Sequence, residues 1–108
     1  MLDEKEFRKK SDEALDALQR ALERAADRFE IEVDRNQGAL AIEFEDPPAK
    51  FVVSPNSPVR QIWVSARVKS FKLDWDEAAD QFVFTDGRGL LKLIGDVVSE
   101  QLGEQVEL

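Results

Sequence analysis

Pro58-Val59-Arg60-Gln61-Ile62-Trp63-Val64-Ser65 alternates with a period of two, and that alternation limits what the chain can build. Ile62, Val64 and Ala66 form an apolar row, so Gln61, Trp63, Ser65 and Arg67 point the other way, as successive side chains of a strand must. A strand written like this belongs to a sheet with one covered face and one wet face. It also places an indole on the wet side. Two readings of Trp63 stand. Beside Gln61 and Arg60 it has the composition of a binding hot spot, because a large rigid ring offers contact area at little entropic cost. Alternatively, it covers cross-strand neighbours on the outer face of an antiparallel sheet.

Working outward, the flanking segments carry further strands. Phe29-Glu30-Ile31-Glu32-Val33-Asp34 alternates strictly, apolar residues inward and carboxylates outward, and reads as the first strand. Asn36-Gln37-Gly38 supplies left-handed turn positions, and Leu40, Ile42 and Phe44 form the inward row of the return strand. Asp46-Pro47-Pro48 is expected to end pairing, since proline has no backbone donor. A third strand is predicted over Phe51 to Ser54, with Pro55-Asn56-Ser57-Pro58 looping into the tryptophan strand. Phe71 to Trp75 and Gln81 to Thr85, joined by the polar turn Asp76 to Asp80, bring the number of strands to six.

Helices are predicted at both ends. Asp3 and Glu6 fit a capping box, after which Phe7, Ala14, Leu15, Leu18, Leu22 and Ala25 share one face up to about Asp27. Asp12, Asp16, Glu23 and Asp27 line the opposite face with Arg20 and Arg24 on its flank, and Asp16 to Arg20 is a favourable i to i+4 pair. That face is either a solvated, salt-bridged surface or part of a cation-binding one. Asp86-Gly87-Arg88-Gly89 breaks the strand pattern. Leu90, Leu91, Ile94, Val97, Val98 and Leu102 then return to helical spacing, and Gly103 stops the helix. Val106 and Leu108 beyond it are expected to tuck against the helices. The result is an α+β fold, a two-layer α/β sandwich with the N- and C-terminal helices on one face of a six-stranded antiparallel sheet.

Composition narrows the chemistry. The 108 residues suit a single domain spanning 1–108, and no run approaches the roughly eighteen apolar residues that cross a bilayer. The acidic start, Met1-Leu2-Asp3-Glu4, is unlike a signal or transit peptide, so the expectation is a soluble, unexported chain with no membrane partner. There is no cysteine and no histidine. Thiolate sites, Ser-His-Asp triads and His-based zinc or iron sites are therefore excluded. A net charge of −8 argues against nucleic acid. The charge is also segregated: Asp12 to Asp46 holds eleven acidic and four basic side chains, whereas Pro47 to Leu73 holds Lys50, Arg60, Arg67, Lys69 and Lys72 with no acid. Such a two-ended field orients a docking partner or draws cations to one end, or else serves solubility.

The order of elements and several motifs resemble the frataxin family in its bacterial, CyaY-like form. Ser57-Pro58-Val59-Arg60-Gln61-Ile62-Trp63-Val64-Ser65 is similar to the family's threonine-proline-x-lysine-glutamine-isoleucine-tryptophan-leucine-serine segment. Leu73-Asp74-Trp75 resembles its tyrosine-aspartate-tryptophan, Gly38-Ala39-Leu40 its glycine-valine-leucine, and Asp86-Gly87 precedes the last helix as in relatives. The resemblance covers nearly the whole chain. It departs where Arg24 and Arg28 stand at acidic positions, where Gln19 and Arg20 replace a glutamate pair, and where Arg8 replaces a histidine. Ser54 and Phe82 likewise replace an asparagine and a tryptophan.

The resemblance implies a cytoplasmic bacterial protein that binds ferrous or ferric iron weakly through surface carboxylates. It further implies docking on the cysteine desulfurase and scaffold protein of iron-sulfur cluster assembly, where the chain acts as iron donor or regulator. The expected state is a monomer, with iron-dependent oligomerisation as the alternative. A diffuse metal surface would comprise Asp16, Glu23, Asp27, Glu30, Glu32 and Asp34, and Arg60, Gln61 and Trp63 would face the partner. An oxygen-only surface selects poorly among divalent ions. The alternative reading keeps the fold as a metal-independent protein-binding adapter, which Arg20, Arg24 and Arg28 favour. An independent enzyme is the third reading. It lacks a paired-carboxylate cleft, a glycine-rich phosphate loop or an activated nucleophile in the sequence, and ferroxidase-type activity is implied by resemblance alone.

Overall fold

The computed structural model describes residues 2–108. Helix α1, Glu4–Ala26, starts where the Asp3 carboxylate accepts the Glu6 backbone N–H at 2.8 Å, satisfying a donor that the first turn leaves free. Phe7, Leu15, Leu18, Leu22 and Ala25 are buried along one stripe, joined by Ser11, whose hydroxyl donates to the Arg8 carbonyl at 3.1 Å. Six strands follow: β1 (Ile31–Asn36), β2 (Ala39–Glu45), β3 (Pro48–Asn56), β4 (Gln61–Ala66), β5 (Lys69–Asp76) and β6 (Gln81–Val83). They form one antiparallel sheet in chain order. Helix α2, Leu90–Leu102, closes the chain's second half and ends at Gly103 in the left-handed conformation, φ 70°.

The inward rows predicted from alternation are the buried ones. Leu40, Ile42, Phe51, Val53, Ile62, Val64, Leu73 and Phe82 lie beneath the two helices with Leu93, Ile94 and Val98. Each such side chain removed from water contributes about 1.5–3 kcal/mol. Phe7 of α1 meets Phe82 edge-on at 5.8 Å and Phe82 meets Trp75 at 5.1 Å, which ties the helix to the β5–β6 side of the sheet. Among the described residues no layer covers the opposite sheet face. Val106 is buried, as expected for a tucked tail.

Several strand boundaries differ from those read off the sequence. Phe29 and Glu30 lie outside β1, because the Phe29 N–H is taken by the Ala25 carbonyl at the end of α1, at 2.9 Å. The strand runs on to Asn36 instead, so Arg35 joins Ile31 and Val33 on the inward side. Asp46-Pro47-Pro48 does not end pairing: Glu45 pairs with Pro48 across a two-residue connection. Proline at the first position of a strand removes little from the ladder. β3 continues through Pro55 to Asn56, beyond the last β2 pair at Leu40 and Val53, and only then gives way to a 3₁₀ turn, Ser57–Val59. β6 stops at Val83 because the Phe84 N–H turns to the Arg88 carbonyl at 2.8 Å. The Asp16–Arg20 pair is replaced by Asp16–Arg35 at 2.8 Å.

Candidate interaction surface and acidic rim

On the uncovered face β4 presents Trp63, 38% exposed, between buried Ile62 and Val64. Its indole is held on two sides. The Nε1–H donates to Gln61 Oε1 at 2.9 Å, and Gln61 Nε2 in turn donates to Asp74 Oδ1 at 3.0 Å. Register explains the chain of bonds: Gln61 lies opposite Asp74 and Trp63 opposite Lys72, one row apart on neighbouring strands. The Lys72 ammonium stands 4.8 Å from the ring centroid, a cation–π contact. Ser54 is across from Trp63 on β3, and with Ser65 and Ser70 it lines a shallow cavity of about 390 Å³ beside the ring. The ring thus packs against Lys72, and more than a third of it remains open.

Arg60 stands just before β4. It caps the 3₁₀ turn with φ 55°, its N–H bonding the Ser57 carbonyl at 3.2 Å, and its guanidinium also donates to that carbonyl. Gln61, as noted, is engaged on both ends of its amide.

The six carboxylates fall into separate groups. Glu32 and Asp34 project from β1 on the uncovered face, Glu32 directly opposite Glu43, which in turn faces Lys50 at 3.8 Å. Asp16 belongs to α1 on the other side of the sheet, where Arg35 bonds both its Oδ1 and, at 3.1 Å, Gln19 Oε1. Gln19 reaches Glu23 at 3.4 Å. Asp27 is the C-cap of α1, and Glu30 is exposed in the short link to β1. Among the described residues no group of three or more such side chains is placed to hold a metal ion. Residue-by-residue reading missed Lys72 and Asp74 as supports of the indole and Arg35 as the partner of Asp16. The first two were detectable, since Lys72 and Asp74 flank buried Leu73 on the strand that follows; Arg35 had no local signal.

Two terminal helices lying on one face of an open six-stranded antiparallel sheet, with the other face bare around a fixed indole, define an α/β sandwich of the frataxin type. The chain belongs to the frataxin-like family, whose domain model matches residues 1–104. It is 33% identical to the iron-sulfur cluster assembly protein CyaY of Azotobacter vinelandii over 98 residues, which covers 88% of each chain. It is also 33% identical to the protein of that name from Cupriavidus metallidurans, covering 99% of this chain and 96% of the relative. The solved frataxin from Psychromonas ingrahamii superposes with a TM-score of 0.84, covering 98% of this chain and 97% of that one, at 19% identity, a likeness of fold. Among the described residues no helix is long and apolar enough to cross a membrane.

Proposed function

We propose that this protein serves iron-sulfur cluster assembly in the bacterial cytoplasm as an iron-binding accessory, an iron donor or regulator, docking as a monomer on the cysteine desulfurase and its scaffold. Family membership and the names of its relatives support the pathway. The observation that carries the docking reading is the fixed indole of Trp63 on the uncovered face, where a rigid ring loses little entropy on burial. Gln61 belongs to that surface. Arg60, whose guanidinium donates to the Ser57 carbonyl, stands at the entry to β4. Iron enters as cargo, met by hard carboxylate oxygens at Glu23, Asp27, Glu30, Glu32 and Asp34 in ones and twos, with water completing the shell and modest affinity as the result.

The second reading, a metal-independent adapter on the same fold, draws on Arg35, which already neutralises Asp16. One experiment separates the two. Binding of the cysteine desulfurase is measured by calorimetry with and without Fe(II), for the parent chain, Trp63→Ala, and Glu32→Lys with Asp34→Lys. Trp63→Ala is expected to weaken docking about tenfold or more, as loss of a central aromatic does. Abolition of the iron response by the charge reversals supports iron handling; an iron response absent from the parent chain supports the adapter. Unchanged docking by Trp63→Ala removes the surface from both.

A further inference from the structure

The docking reading leaves open why an exposed indole should hold one orientation, and the bonds behind it supply an answer. The indole N–H is a donor only, so it must meet the oxygen of the glutamine amide, and the amide nitrogen is left to bond elsewhere. Here that nitrogen is anchored. Gln61 Nε2 donates to Asp74 at 3.0 Å while Gln61 Oε1 accepts from Trp63 Nε1 at 2.9 Å. The bond to Asp74 is charge-assisted and the stronger of the two kinds. Each group comes from the outward row of β4 or β5, whose register is set by the buried Ile62–Leu73 and Val64–Phe71 pairs. The relay therefore stands on a rigid part of the sheet.

We infer that Asp74 is a positioning residue for Trp63: by anchoring the Gln61 amide it sets the side from which the indole N–H is held and so fixes the orientation in which the ring meets the partner. Lys72 completes the arrangement from the ring face, so that the indole is restrained at its edge and on one surface. Asp74 itself is exposed, so its side chain can be removed without opening the core. The inference rests on the proposed docking role of Trp63 only for its consequence in binding; the orientation of the ring is a property of the free chain.

The test accordingly has two readouts. In the free protein, exchange of the Trp63 indole N–H with solvent is followed by ¹⁵N NMR, its signal distinguished from that of Trp75 by its loss in Trp63→Ala. Asp74→Ala and Gln61→Ala are expected to speed that exchange about five- to tenfold, the equivalent of one net hydrogen bond, whereas Asp74→Asn, which keeps an acceptor oxygen, restores most of the protection. Affinity for the cysteine desulfurase should fall by a similar factor in Asp74→Ala. It should fall no further when Asp74→Ala is added to Trp63→Ala, because residues acting through one another are not additive. Unaltered indole exchange in Asp74→Ala overturns the inference whatever happens to binding. Losses that simply add in the double variant overturn its link to docking. If Trp63→Ala leaves docking intact, the docking reading fails alone, and the exchange rates still decide whether Asp74 positions the ring.

Discussion

Gln37 and Gly38 carry β1 into β2 with φ of 52° and 83°, positive at both central positions, which is the hand that suits the twist of a two-residue hairpin. Nothing lies within 4 Å of a Cβ built on Gly38, so any penalty there is conformational rather than steric. Gly38→Ala is expected to destabilise by about 1 kcal/mol, and Gln37→Asn, which tolerates the left-handed region better, to stabilise by roughly 0.5 kcal/mol. Urea midpoints at unchanged m-value check both, and equal midpoints for all three chains would refute the argument. This turn was legible because its requirement is local. The partner of Asp16 was not. An exposed i to i+4 pair with Arg20 stabilises by only about 0.3–0.5 kcal/mol, and Arg35, its side chain 22% exposed against the sheet, offers a better-shielded bond from nineteen residues away. Trp63 lies between these cases: alternation alone placed it outward, but its supports required knowing which residues of β5 stand opposite.

Helix α2 shows at the scale of an element what sequence patterning reaches and where it stops. Its bounds, Leu90–Leu102, coincide with the period-3.6 stretch, because Gly103 and the Asp86–Gly89 break are local signals. How the tail is fastened is a tertiary matter. Val106 is buried, its N–H donates to Ser99 Oγ at 2.9 Å, and the same hydroxyl donates to the Gly95 carbonyl at 2.7 Å. Ser99→Ala leaves a buried N–H without a partner, at about 1–3 kcal/mol. A thermal midpoint lower by roughly 5–15 °C is the expected readout, and an unchanged midpoint would show the tail to be loosely held. At the other end of α2, Lys92 donates to Asp96 at 2.9 Å and Arg88 at 3.1 Å. The Lys92 bond first and the Arg88 bond with it outweigh partial burial and hold the Asp96 carboxyl below its ordinary range. The folded chain thus gives up this proton at lower pH than the unfolded chain, which binds more protons in between. The stabilisation is complete above about pH 4 and is lost as pH falls through the folded value. Asp96→Asn should be less stable than the parent at pH 7, the gap closing in calorimetric scans as pH falls below the ordinary carboxylate range; a constant gap would place the effect elsewhere.

Across the whole molecule the uncovered face is polarised. Glu32 on β1 pairs with Glu43 on β2, Glu43 faces Lys50 on β3, and Lys72 stands on β5 beside Asp74, so acid without a matching base is concentrated at the β1–β2 edge. The acidic stretch of the chain becomes an acidic edge in space because a meander lays consecutive segments side by side. Its acidic edge and its indole stand apart, Trp63 lying on β4 beside Lys72. Under the proposed role, docking on the desulfurase separates into two contributions. Long-range attraction to the acidic edge governs the encounter and is screened by salt, the Debye length falling from about 30 Å at 0.01 M to about 8 Å at 0.15 M. Burial of the indole governs how long the complex lasts. In stopped-flow measurements the association rate of the parent chain is expected to drop about tenfold over that range of salt. Glu32→Lys with Asp34→Lys should lower the rate at low salt and flatten its salt dependence while leaving dissociation nearly unchanged. Trp63→Ala should do the reverse, speeding dissociation with the salt slope intact. An identical salt slope in the parent and the charge-reversed chain would show that the acidic edge does not meet the partner, and its charge would then serve solubility alone.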